Sequence, residues 1–287
     1  MAGEFKVLVV PKAESSRYWQ AVKRGAMDAG RERGAEVVFR GPMLHEEAKA
    51  QRAIIAEEMQ SRFDAIVIAP THTTLLADTL NEARQRGALV LGIDSSMKGV
   101  KLTSFIATDN KAAGREAAAY LLGRTRGNGA VLLLRHSDDN GSTLDREEGF
   151  AEAMAARSPG TELIASGFIG VSTGNAYHHT LALLRRHPDV TAVFASSERL
   201  SIGCVQALRE VNLAHKVHAL VFDQTPEIRQ ALRDGLIDAF MIQQPYRMGY
   251  LGVSTACDAL EGRRVPKRIV TRVKLVTEAG ELRPEAE

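Results

Sequence analysis

Short runs of aliphatic and β-branched residues alternate along this chain with longer stretches in which apolar positions recur every three to four residues. That alternation is the mark of βαβ units wound around a parallel sheet. The apolar runs predict strands at 5–10, 36–40, 64–69, 88–93 and 104–108, then at 129–134, 162–166, 190–194, 217–222 and 237–242, with a last strand near 269–276. The gaps predict helices. Between residues 16 and 33, Trp19, Val22, Ala26 and Ala29 fall three and four apart and line one face, and Gly34 stands where a helix C-cap belongs. The densest cluster of turn formers, Gly123 to Ala130, separates two sets of about five strands, which predicts two similar α/β lobes.

In such lobes ligands bind beyond the carboxyl ends of the parallel strands, where strand-to-helix loops gather and helix N-termini point. The loops to read are therefore 11–19, 70–73, 94–97, 135–146, 195–198 and 223–225, and they are rich in Ser, Thr, Asp, Glu, Arg and aromatic residues.

Length and charge narrow the choice. A chain of 287 residues exceeds one ordinary domain, which agrees with two lobes. Apolar residues at 45% and charged residues at 25% are the proportions of a soluble globular protein. Lys and Arg number 37 against 35 Asp and Glu, with the signs mixed, so no basic face suited to a nucleic acid is indicated. No apolar run is long enough for a transmembrane helix, so membrane insertion is not expected. The two cysteines, Cys204 and Cys257, sit in apolar helix-like runs without metal-ligand spacing and read as free buried thiols. The N-terminus runs from Met1-Ala2-Gly3-Glu4 straight into the first strand. Either the protein is cytoplasmic or a natural leader has been removed.

The motifs of catalysis are missing. There is no GxxxxGK[ST], no strand-adjacent GxGxxG and no HExxH. Gly170-Val171-Ser172-Thr173-Gly174 fits GxSxG between a strand and a helix, and His187, His215 and His218 follow it, but no upstream glycine cluster supplies an oxyanion loop. Ser172 or Thr173 as the cap of a helix running to about Arg186 is the plainer reading. His178 and His179 are adjacent, point about 100° apart on a helix and so cannot share one ion. No catalytic residue, metal site or cofactor is expected.

What remains is a polar set suited to a neutral, hydroxyl-rich molecule: Tyr18, Trp19, Asp94, Arg146, Glu198, Asp223 and Gln243, all at predicted strand ends or the loops beyond them. Carboxylates accept from hydroxyl groups, Arg donates in a rigid fork, and aromatic faces pack on the C–H face of a sugar. Asp94 and Asp223 also fit as helix caps, and Trp19 also fits as a core residue.

With these residues in view, the chain resembles the type I periplasmic sugar-binding proteins, the ribose-binding-like receptors of ABC importers. The likeness runs from Val7 to about Val276 and is carried by VVPKAESSRYWQAVKRGA, GIDSS around Asp94, SFIATDNKAAGREAA around Asp109 and STLDREEGF around Arg146. FASSERLSIG around Glu198, FDQTPEIRQAL around Asp223, IQQPYRMGY around Gln243 and KRIVTRVKLVT follow in order. The resemblance implies two Rossmann-like lobes with parallel sheets, joined by three hinge crossings near Thr108-Asp109, Gln243-Gln244 and Arg272-Val273. The lobes are then 1–108 plus 244–272 and 109–243 plus 273–287. It implies a hinged protein that closes on a ligand in the interlobe cleft, gripped by Tyr18, Trp19, Asp94, Arg146, Asp223 and Gln243, with Trp19 at the cleft mouth.

Two departures alter the expected hydrogen-bond map. Many ribose- and galactose-type receptors have Asn-Asp where this chain has Ser197-Glu198, and ribose-type receptors have Arg where it has Ser95. Lys12, Glu14, Arg135 and Ser197 are further candidates to contact the ligand. The expected function is capture of a monosaccharide or related polyol outside the cytoplasm and delivery to an ABC importer permease, by a monomer whose leader of about 20–30 residues upstream of Phe5 has been cleaved. The alternative is a ligand-sensing module for a chemoreceptor or sensor kinase. A repressor needs a DNA-binding headpiece ahead of the core, and the first strand starts at Phe5.

Overall fold

A computed structural model of the chain describes residues 5–43, 48–158, 160–211 and 217–277. His215, Met1–Glu4 and the part of the expected second lobe beyond residue 277 lie outside the described residues. In chain order the elements are β1 (Lys6–Val10), α1 (Arg17–Arg33), β2 (Glu36–Phe39), α2 (Ala48–Glu58), β3 (Ala65–Ile68), α3 (Ala77–Gln85), β4 (Leu89–Ile93) and β5 (Phe105–Thr108). They continue with α4 (Asn110–Thr125), β6 (Ala130–Arg135), α5 (Gly141–Arg157), β7 (Leu163–Phe168), α6 (Thr173–Arg186), β8 (Val190–Ala195), α7 (Glu198–Glu210) and β9 (His218–Phe222). The last are α8 (Pro226–Arg233), β10 (Ala239–Ile242), α9 (Pro245–Leu260), β11 (Arg268–Thr271) and β12 (Lys274–Val276).

The chain forms two compact units. Unit 1 is Met1–Thr108, Asp139–Ser142 and Gln244–Arg272, and unit 2 is Asp109–Asp138, Thr143–Gln243 and Val273–Glu287. Unit 1 holds a six-stranded sheet in the order β11-β5-β4-β3-β1-β2, and unit 2 one in the order β12-β10-β9-β8-β6-β7. Every pairing is parallel except β10 with β12.

Both faces of each sheet are covered, as a parallel sheet requires. In β1, Val7 and Val9 enter one apolar cluster with Trp19, Val22 and Ala26, whereas Leu8 and Val10 enter another with Ile55, Leu76 and Leu80. In β6, Leu132 and Leu134 pack with Leu200 and Cys204, and Val131 and Leu133 with Phe150 and Phe194. Each such fully buried aliphatic or aromatic side chain contributes roughly 1.5–3 kcal/mol relative to exposure. The helix expected over 16–33 is α1, with Ser16 as its N-cap accepting from Trp19 N and Gly34 at φ 66° as its C-cap.

Three expectations change. The last strand, read as one run near 269–276, is two: Thr271 ends a strand beside β5, and Lys274 begins one antiparallel to β10, because the chain passes from one sheet to the other at Arg272-Val273. The loop read as 135–146 ends early, since α5 begins at Gly141 and carries Arg146 on its second turn. Gly123 to Ala130 lies inside unit 2, where Arg126, Gly127 and Gly129 take positive φ between α4 and β6. Among the described residues no helix is long and apolar enough to cross a membrane.

Candidate functional site

In unit 1 the polar side chains gather just beyond β1 and β4. Lys12 follows β1, and its Nζ lies 3.0 Å from Asp94 Oδ2 and donates to Ser95 Oγ at 2.6 Å and to Asn140 Oδ1 at 3.2 Å. Asp94 also accepts from the Tyr18 hydroxyl at 2.9 Å, while Ser95 Oγ lies 3.0 Å from Ser142 Oγ. Lys12, Asp94 and Ser95 are all buried. Behind them, Gln51 of α2 donates from Nε2 to Pro11 O and Ala69 O and accepts from Thr71 N and Oγ1, tying the ends of β1 and β3 together.

Unit 2 builds its set from α4, α5 and the ends of β8, β9 and β10. Arg146 on α5 donates from Nε to Asn110 Oδ1 at 2.8 Å and from Nη1 to Ser196 O at 2.9 Å, and its guanidinium lies 3.7 Å from the centre of the Phe222 ring. The reach to Asn110 depends on glycine. α4 and α5 meet backbone to backbone, since a Cβ on Gly114 would stand 2.0 Å from Arg146 O and one on Gly149 2.1 Å from Lys111 O. Asp223, next to Phe222, accepts from Gln243 Nε2 at 2.8 Å.

Asp94 and Asp223 hold equivalent places in the two sheets. Each follows the third strand from the same end of its sheet, β4 or β9. Each takes the left-handed conformation, at φ 64° and 69°, which Asp tolerates better than most residues. Each donates its N–H to the neighbouring strand, to Ile106 O at 3.0 Å and to Met241 O at 2.9 Å. Neither caps a helix: β5 is the next element after Asp94, and the N-cap of α8 is Thr225.

The remaining candidates divide. Arg135 stacks 4.0 Å from the Phe168 ring centre and reaches Glu147 Oε2 at 3.4 Å. Ser197 caps α7 and lies 3.0 Å from His136 Nδ1, and Glu198, half-buried, is the first residue of that helix. Glu14 Oε1 accepts from Gly41 N at 2.7 Å, which ties down a loop. Trp19, expected at a cleft mouth, is 5% exposed and packs in the core of unit 1. Its apolar face points inward with Val22 and Ala26, while Tyr18, 4.9 Å from it edge to face, carries the hydroxyl that reaches Asp94. Ser172 caps α6 by accepting from Asn175 N, and His178 and His179 are exposed.

Sequence reasoning passed over His136, Asn110, Ser196 and Glu147, all buried. Glu147 gave a signal: it lies three residues before Phe150 and seven before Met154, on the inward face of α5. Its Oε1 accepts from His136 N and Ser196 Oγ, each at 2.8 Å. Burial pushes its carboxyl above the ordinary value, against the opposing pull of those two donors and of Arg135. Among the described residues no group of His, Cys, Asp or Glu is arranged to hold a metal ion.

Comparison with known proteins adds a second line. A family profile described as periplasmic binding protein domain matches residues 7–264. The D-ribose/D-allose-binding protein of Pseudomonas aeruginosa is 26% identical over 284 residues, covering 95% of this chain and 88% of that one. The periplasmic component of an ABC-type sugar transport system from Hahella chejuensis is similar in structure, with a TM-score of 0.90, 32% identity and coverage of 95% and 100%. A carbohydrate transporter solute-binding protein from Agrobacterium radiobacter, in complex with D-arabinose, has a TM-score of 0.92, 30% identity and coverage of 98% and 97%.

Proposed function

Since this chain belongs to the periplasmic binding protein family, we propose that it is an extracytoplasmic receptor that captures a neutral pentose, hexose or related polyol and delivers it to an ABC importer permease. The observation that carries this reading is the pair Asp94 and Asp223, one carboxylate at the equivalent strand end of each unit, each held in place by its neighbours. A carboxylate accepts from two adjacent hydroxyls, which sugars supply in pairs. Arg146 adds a fork of donors whose Nε and Nη1 are already aimed by Asn110 and Ser196.

The charges suit a neutral ligand. Lys12 is matched by Asp94 and Arg135 by Glu147, and with Arg146 the set stands against the further carboxylates Glu198 and Asp223, so no surplus of positive charge favours an acidic sugar. The relatives are named for D-ribose and D-allose, and one structural neighbour holds D-arabinose. We take Tyr18, Asp94, Lys12, Arg146, Ser197, Glu198, Asp223 and Gln243 as the residues that contact the sugar, and the working form as a monomer without catalytic activity. Isothermal titration with D-ribose, D-allose, D-arabinose and matched polyols tests the reading. Saturable binding of at least one sugar is expected, and no heat from any of them at millimolar concentration overturns it.

A further inference from the structure

Consecutive side chains of α5 grip the two polar ends of one residue. Arg146 donates to the carbonyl of Ser196 at 2.9 Å, and Glu147 accepts from the hydroxyl of the same serine at 2.8 Å. Glu147 is 3% exposed and spends the rest of its acceptor capacity on the end of β6, taking the His136 N–H at 2.8 Å and facing Arg135 Nε at 3.4 Å. One carboxylate thus ties the strand end that precedes Ser197 to the strand end that carries Arg135 and His136.

We propose that Glu147 is a positioning residue for sugar binding: it holds Ser196, His136 and Arg135 in place so that Arg146 and Ser197 meet the ligand in a fixed geometry. The inference rests on the sugar-binding reading above and adds a residue that touches no ligand. A carboxylate that satisfies three donors at once cannot be replaced by water in a site this buried, and loss of its charge leaves Arg135 facing a neutral group. Gln in its place accepts with one atom only and presents an N–H where Arg135 also donates.

The same arrangement makes binding sensitive to pH. The charged and titratable groups around Glu147 are Arg135 and His136 from the end of β6 and Arg146 on its own helix, while the end of β8 offers the Ser196 hydroxyl. Burial raises the Glu147 carboxyl above its ordinary value, so it takes up its proton earlier on acidification than an exposed glutamate. Protonation then puts a donor among donors.

The test uses the full chain in three forms, wild type, Glu147→Gln and Glu147→Asp, titrated with D-ribose, D-allose and D-arabinose from neutral pH downward. It also follows the His136 amide resonance in the absence of sugar. Glu147→Gln should bind the preferred sugar about tenfold more weakly at neutral pH, as expected for a lost hydrogen bond to a charged group. It should also lack the acid-side decline seen in wild type, and Glu147→Asp should recover part of both. The His136 amide should show in wild type a titration step above the usual glutamate range that is absent from Glu147→Gln. A folded Glu147→Gln with wild-type affinity and an unchanged pH profile overturns the proposal. If wild type binds none of the sugars, the sugar reading fails by itself, and the amide still decides: a His136 titration that is the same in wild type and Glu147→Gln overturns the positioning role. Should Glu147→Gln fail to fold, Glu147→Asp with wild-type affinity and pH profile does the same.

Discussion

Lys12 and Asp94 form an ion pair of 3.0 Å with side chains only 3% and 6% exposed, just beyond the ends of β1 and β4. Two charges withdrawn from water cost several kcal/mol each, offset here by their attraction and by the hydrogen bonds each makes to Ser95, with Tyr18 adding to Asp94 and Asn140 to Lys12. Breaking the pair strands the survivor. Lys12→Met and Asp94→Asn should each lower unfolding free energy by about 3–5 kcal/mol, and Asn is chosen because it tolerates the left-handed backbone at this position. The double variant should lose clearly less than the sum in a urea-denaturation cycle. Additive losses would show that the two charges do not depend on each other.

Asp223 and Thr225 are two residues apart and serve different ends. Thr225 caps α8 by accepting from Ile228 N at 3.2 Å, whereas Asp223 accepts from the Gln243 amide at 2.8 Å and donates its own N–H to Met241 O. Thr225→Ala should therefore cost about 1 kcal/mol of stability and leave sugar affinity alone. Asp223→Asn keeps the left-handed turn and should weaken binding about tenfold to a hundredfold, with a melting temperature close to that of wild type. Calorimetry of both variants separates the roles. Equal affinity in Asp223→Asn and wild type would remove Asp223 from the site.

Most of the sheet architecture was legible because parallel strands buried on both faces must be apolar throughout, and Val7-Leu8-Val9-Val10 or Val131-Leu132-Leu133-Leu134 admit little else. Candidates for the site were legible where position alone singles out a residue, as with Asp94 and Asp223 immediately after a strand. Their left-handed backbone was not, since nothing local marks it. For Trp19 the sequence leaves both a cleft mouth and a core position open, because an aromatic at a loop–helix junction fits either side, and only the tertiary packing of α1 turns it inward with Val22. Glu147 was missed for the opposite reason: a carboxylate invites a surface reading even when Phe150 and Met154 share its helix face.

The cysteines offer a check on burial in both units. Cys204 and Cys257 are free and buried, and burial pushes the Cys204 thiol up to about 12 and raises that of Cys257 as well. The thiolate is the nucleophile, so neither should react with iodoacetamide at mildly alkaline pH while the protein is folded. The sign of the linked stability follows: a thiol whose folded value lies above its unfolded one stabilises fully below the unfolded value, and that contribution is lost as pH climbs toward about 12. Mass spectrometry should find no label on native protein and two labels after denaturation. Rapid native labelling of Cys204 would contradict its burial.

Gly149 lets α5 lie backbone to backbone against α4, the helix whose Asn110 accepts from Arg146. Alanine is the better helix former by about 1 kcal/mol, so a helix-propensity argument alone predicts that Gly149→Ala stabilises α5. Sterics oppose it: the new Cβ would lie 2.1 Å from Lys111 O, a backbone atom of α4 that no rotamer change can move. α5 must then lift from α4, and Arg146 Nε, 2.8 Å from Asn110 Oδ1, moves with it. The steric argument predicts a loss of about 1–3 kcal/mol in stability and a fall in sugar affinity of about tenfold or more as the guanidinium loses its aim. Gly123 supplies the control. It lies in the same helix pair, near the end of α4, with nothing within 4 Å of a built Cβ, so Gly123→Ala should stabilise by about 0.5–1 kcal/mol and leave affinity untouched. Thermal melts and sugar titrations of the two variants decide between the arguments, because a Gly149→Ala protein as stable and as tight-binding as Gly123→Ala would mean that the α4–α5 contact does not position Arg146.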